Sequence, residues 1–143
     1  MNDSKNPNIC ALNRVYQNSR AAIESIDCLI SKVKDEGLKK ELASQMLGHH
    51  KLIKSSAAKL HEAHHYPQEP NLFGTALSAR LKSAVDSSDG HIAEIMIENS
   101  TAGMIDIQRD LNQSEHLTQE ASAIGGEAIS FEQANINKMR GYL

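Results

Sequence analysis

Between residues 9 and 33 the chain carries Ile9, Leu12, Tyr16, Ser19, Ile23, Ile26, Ile30 and Val33, at intervals that alternate between three and four. Side chains at that spacing share one face of an α-helix and cannot share one face of a strand. A stripe this narrow is the seam of a helix packed in a bundle. This one pattern sets the fold class, because a long helix with a single apolar seam needs other helices to cover it.

The rest of the chain supplies them. The stretch "KDEGLKK" interrupts the first helix, with Gly37 as the expected turn residue. A second helix is expected over about residues 38–65, with Leu42, Met46, Ile53, Ala57 and Leu60 on one side and Pro67 and Pro70 beyond its end. Residues 72–111 are again apolar at helical spacing, but one helix of that length would run about 60 Å. The segment "VDSSDGHIAE" offers Ser87, Ser88 and Asp89 as N-caps and a weakening Gly90, so a shorter helix over 72–86 and a principal helix over about 89–111 are expected. "NQSEH" makes the next turn with Ser114 as the expected N-cap, and a last helix spans about 115–140. The pair Gly125-Gly126 inside that helix points to a close helix–helix approach.

Composition agrees with an all-α chain. Hydrophobic residues make up 40% of 143 positions but aromatics only 3%, with no Trp, so the core is built of Leu, Ile, Met and Ala. Eight Gly and three Pro are too few for a succession of turns and short strands. Net charge is −3, with Lys interspersed among Glu and Asp, which argues against nucleic acid as a partner. No apolar run approaches the roughly 20 residues that span a bilayer. The polar opening "MNDSKNPNIC" lacks the pattern of a signal peptide, so a cytoplasmic protein is expected, with residues 1–7 a flexible lead into a single domain over residues 1–143. On one helix, Cys10 and Cys28 lie about 27 Å apart, beyond disulfide reach.

The runs "NSRAAIESIDCLISKVKDEGLKKELASQM", "DGHIAEIMIENSTAGMIDIQRDLN" and "FEQANINKMRGYL" resemble the small, uncharacterised ferritin-like four-helix bundle proteins of clostridia and related Gram-positive bacteria. The resemblance covers nearly the whole chain. It implies an up-down-down-up bundle with a helical crossover between the second and third principal helices, and it implies no particular activity.

Two metal chemistries are suggested by motif. "HEAHH" contains H-E-x-x-H, with His61 and His65 spaced to share a zinc and Glu62 as general base. Helical phase places Glu62 about 160° from the apolar line of its helix, at the last turn before two prolines, so a polar helix end is the better reading. Ferritin-type di-iron chemistry needs a Glu from each of two helices and a Glu-x-x-His from each of the other two. The chain has a single Glu-x-x-His, Glu62 to His65, while Glu24 and Glu41 project away from their stripes.

Inside the bundle a few polar residues remain. His49 and His64 fall near the second helix's core line, His91 and Asn99 border that of the third, and Glu132 sits among Ala121, Ala128, Ile136 and Met139. With a turn near residue 112, His91 and Glu132 come level and are expected to meet. They form either a register-fixing hydrogen bond or, with His49, part of a mononuclear metal site. Ile97 points away from its core line, which suggests a second buried face and a homodimer. The sequence therefore reads as a non-enzymatic, self-associating bundle with no catalytic residue and no organic cofactor. A metal-binding bundle using His49, His91 and Glu132 is the alternative, and a hydrolase using "HEAHH" the weaker third.

Overall fold

The computed structural model describes residues 6–70 and 88–143. Four long helices make up most of these residues: α1 Pro7–Leu29, α2 Glu36–Glu62, α3 Asp89–Asn112 and α4 Gln119–Met139. Single 3-10 turns follow α1 at Ile30–Lys32 and α4 at Arg140–Tyr142. Among the described residues there is no strand, and no helix is long and apolar enough to cross a membrane.

Each helix starts where a side chain satisfies its first free N–H groups. Asn6, Asp35, Ser88 and Thr118 are the N-caps, accepting from Asn8, Leu38, His91 and Ala121 respectively. Ser88 lies among the expected caps of the third helix. Gly37, by contrast, is not the turn residue but lies in the first turn of α2, because Asp35 starts that helix earlier. Pro7 is the first residue of α1, where a missing N–H costs nothing, so the helix begins inside the segment expected to be flexible. The expected helix over 72–86 lies outside the described residues.

Pairwise contacts fix the helix directions. Leu29 and Leu38 share one apolar cluster, Leu12 and Leu60 share the other, and Ser19 meets His49 at mid-length, so α1 and α2 are antiparallel. Arg14 bonds Asp110 at 2.9 Å, and the backbone N–H groups of Lys34 and Asp35 donate to Asp89 at the other end, so α1 and α3 are antiparallel too. Glu132 faces His49, and Lys138 faces Glu41, which sets α4 against α2. Helices α1 and α4 therefore run one way and α2 and α3 the other. The segment after α2 is pinned on α1, where Asn13 accepts from the Gln68 N–H, while Tyr16 and Arg20 both donate to Glu69.

Two expected boundaries move, for identifiable reasons. Helix α2 ends at Glu62 rather than His65, because His64 adopts φ 63° and closes a Schellman motif. The His65 N–H donates to the Leu60 carbonyl and the His64 N–H to that of His61. His64 is consequently exposed and not on the core line. The last helix starts at Thr118, not Ser114, since Ser114 instead accepts from the His116 N–H within the connecting loop. The α3–α4 connection thus runs over 113–118, and its midpoint lies near 115–116 instead of 112.

The core is divided. One apolar cluster, with Ile26, Leu29, Leu38, Leu42, Ile95 and Met139, fills one end. A second, with Leu12, Val15, Leu52, Leu60, Ile107 and Ala128, fills the other. Ile97 packs against the first cluster, so it is not the outward-facing residue expected from its phase. Between the clusters every helix contributes polar residues to the interior: Ser19, Gln45 and His49, Ser100, Glu132 and Asn135 are all buried.

Candidate functional site

The polar waist arises because each helix's buried stripe turns polar at mid-length. In α2 the buried positions are Leu38, Leu42, Gln45, His49, Leu52, Ser56 and Leu60, with Ile53 and Ala57 only half-buried. This stripe differs slightly from the purely apolar one, which skips the polar residues that the helix in fact buries.

At the centre of the waist His49 Nε2 lies 3.3 Å from Glu132 Oε1, with side-chain exposures of 1% and 3%. The other ring nitrogen, Nδ1, meets Ser19 Oγ at 3.1 Å. Phe131 packs edge-on against the imidazole, ring centres 4.8 Å apart. From α3, Ser100 lies beside the Glu132 carboxylate and favours its charged form. One residue from each helix therefore belongs to a single chain of polar contacts, Ser19–His49–Glu132–Ser100.

Burial governs the protonation of this pair. It pulls the His49 imidazole down to about 4, with a smaller push in the same direction from His50. It drives the Glu132 carboxyl up to about 7, against the opposing influence of Ser100 and Asn135. The close approach is thus between groups that both resist charge, and near neutral pH the imidazole is uncharged. A neutral imidazole accepts at one nitrogen and donates at the other. Polar satisfaction is incomplete, because Glu132 Oε1 and the amide nitrogens of Asn99 and Asn135 are buried without a well-aligned hydrogen bond.

Beside the pair a cavity of about 370 Å³ opens between α1 and α3. His49 and Glu132 form its inner wall, and Asn99 and Ser100 also line it. Small side chains make room for it: Ala21 and Ala22 on α1, Ala102 and Gly103 on α3. At Gly103 a Cβ would fall 2.1 Å from Asn18 Oδ1, so glycine is what lets the Asn18 side chain lie against α3 here.

The expected meeting of His91 and Glu132 does not occur. His91 is half-exposed near the start of α3 and pairs with Glu94 at 3.3 Å. Its neighbour Gly90 faces Tyr142 and Leu143, beyond α4. The reason is the longer α3–α4 loop, which brings Glu132 level with Ser100, nine residues and on the order of 13 Å along the helix from His91. With α2 and α3 parallel, His49 also lies level with Ser100. Of the three candidate ligands His49 and Glu132 meet, and His91 is elsewhere. Among the described residues no group of three or more His, Cys, Asp or Glu is placed to hold one ion.

The "HEAHH" segment straddles the end of α2, so the turn that would align His61 with His65 is broken by His64. Glu62 is exposed and pairs with Lys59 at 3.1 Å. Cys10 and Cys28 are both exposed, and neither is in a disulfide.

Sequence reasoning places His49, Asn99 and Glu132 inside but misses Gln45, Ser100 and Asn135. Their signal was present as a polar residue at the mid-point of each stripe, as Ser19 shows in the first. Compared with family profiles, with curated proteins and with solved structures, the chain matches none.

Proposed function

We propose that this chain is a ferritin-like, up-down-down-up four-helix bundle that holds a small organic molecule at its polar waist without transforming it. One observation carries the reading: a buried carboxylate oxygen, Glu132 Oε1, lacks an aligned donor, and Glu132 lines a cavity of ligand size. Helix directions and the placement of both ends of α2 and α3 support the bundle topology. The resemblance to clostridial bundle proteins, a cytoplasmic location and assembly into a homodimer belong to the same reading. The dimer draws its support from Leu47 and Ile105, exposed on α2 and α3, since Ile97 packs inward.

The reading is tested by xenon pressurisation of untagged protein, followed through the methyl resonances of Ala21, Ala22 and Met96. Shifts confined to these methyls are expected. Unchanged spectra would mean that the cavity takes no guest.

A second reading, a mononuclear metal site, is favoured by the convergence of His49 Nε2 and Glu132 Oε1 at 3.3 Å. It has two strong ligands and needs more from Ser or Asn side chains, which are poor donors for transition metals. Elemental analysis of untagged protein distinguishes the two. One metal per chain, lost in both His49→Leu and Glu132→Gln, would favour the metal.

A further inference from the structure

We infer that the waist cavity takes a primary ammonium group on an apolar tail, with the head on Glu132 and the tail along the small-residue wall between α1 and α3. The inference rests on the cavity being a ligand site and names the class of ligand.

The chemistry of the wall selects that class. Glu132 Oε1 is an acceptor without an aligned donor, its side chain only 3% exposed. When His49 Nδ1 donates to Ser19, His49 Nε2 is a second acceptor 3.3 Å from it. Two acceptors facing each other at that distance are best satisfied by a group rich in N–H donors. An ammonium offers three donors and a charge that complements the carboxylate.

Other classes fit worse. Among the described residues no Lys or Arg lines the cavity, and its second acidic side chain is Asp106, so an anionic ligand would meet negative charge on this wall. Nor does any Phe, Tyr or Trp among the described residues line it, so a quaternary ammonium would find on this wall no aromatic face to replace its missing donors. A purely apolar ligand would leave the Glu132 oxygen unsatisfied. Beyond the polar inner wall, Ala21, Ala22, Met96, Ala102 and Gly103 offer apolar surface for a tail.

The test is titration of the full, untagged chain at pH 8 with four probes of matched tail: n-hexylamine, 1-hexanol, hexanoate and hexyltrimethylammonium. Binding is read by calorimetry and by the methyl resonances of Ala21, Ala22 and Met96. Hexylamine is expected to bind at least about tenfold more tightly than hexanol, hexanoate and the trimethyl analogue. In Glu132→Gln the amine should lose that advantage while hexanol binding is retained. Hexanol binding as tightly as hexylamine would overturn the ammonium assignment while leaving a ligand cavity in place. If none of the four probes moves the cavity methyls, the ammonium assignment and the cavity reading both fall. The wild-type comparison decides between these outcomes even if Glu132→Gln does not fold.

Discussion

His49 on α2 and Glu132 on α4 face each other 3.3 Å apart in the middle of the molecule, both almost wholly buried. Ser19 and Ser100 extend the contact to the remaining two helices. The pair is therefore a register mark as well as a candidate ligand contact. A sliding of α4 that brought Ala128 to this level would put an apolar side chain against His49 and strand both polar groups.

Removing one partner should expose this dependence. His49→Leu or Glu132→Leu leaves the other group buried without its neighbour, at a cost of about 1–3 kcal/mol each. The double replacement should cost less than the two single changes added together, because neither polar group then remains to be satisfied. Urea unfolding of all four proteins measures the cycle. Strict additivity would mean that the two side chains do not interact.

The adjacent glycines of α4 should respond oppositely to alanine. A Cβ at Gly125 would lie 2.7 Å from Leu111 Cδ2, whereas at Gly126 it would meet nothing within 4 Å. Gly126→Ala should stabilise by about 0.5–1 kcal/mol through helix propensity alone. At Gly125 that gain is offset by displacement of Leu111, so the variant should be no more stable than wild type. Equal stabilisation by both changes would contradict the close approach of α3 and α4 at Leu111.

His64 caps α2 in a left-handed conformation, at φ 63°. Glycine adopts that conformation without the Cβ clash, and its greater freedom in the unfolded chain takes back part of the gain. His64→Gly should therefore raise stability by about 0.5–1 kcal/mol, and a β-branched residue such as Val should lower it. Thermal unfolding of the two variants checks the sign. A glycine variant less stable than wild type would show that the imidazole makes a contact worth more than the strain.

How much was legible in the sequence follows from which interactions are local. Helix existence and the Ser88 start of α3 depend on spacing and capping within a few residues, and both could be read directly. The inward direction of His49 and Glu132 is also local, since it follows from helical phase. Their partnership is not. Placing Glu132 opposite Ser100 instead of His91 depends on where the α3–α4 loop is centred. That centre turned on whether Ser114 or Thr118 caps the last helix, two hydroxyl residues four positions apart. The same kind of near-tie hid the end of α2, because His64 in a left-handed conformation carries no strong sequence signal. The cavity required the packing of α1 on α3, which no single stripe contains.

The waist makes a pH prediction whose sign differs between two variants. Folded Glu132 titrates near 7, above the ordinary 4.5, so it contributes stability that is fully present below about 4.5 and lost as pH rises through about 7. Folded His49 titrates near 4, below the ordinary 6.5, so its contribution is present above about 6.5 and lost as pH falls through about 4. Between about 4.5 and 6.5 the two folded groups together hold one proton, and so do the unfolded ones, so the contributions cancel. Each variant removes one side of that balance. Relative to wild type, Glu132→Gln should lose stability on acidification from about 6.5 toward 4. His49→Phe should gain stability as pH falls from about 7 to 4.5. The full excursion is at most about 3.4 kcal/mol in each case, from two and a half pH units at 1.36 kcal/mol each. Comparison with wild type at each pH removes the contribution of the exposed carboxylates, which both proteins share. Urea unfolding at pH 4.5, 5.5, 6.5 and 7.5 provides the measurement. Two variants whose stabilities track the wild type in parallel across that range would show that burial does not control the protonation of this pair.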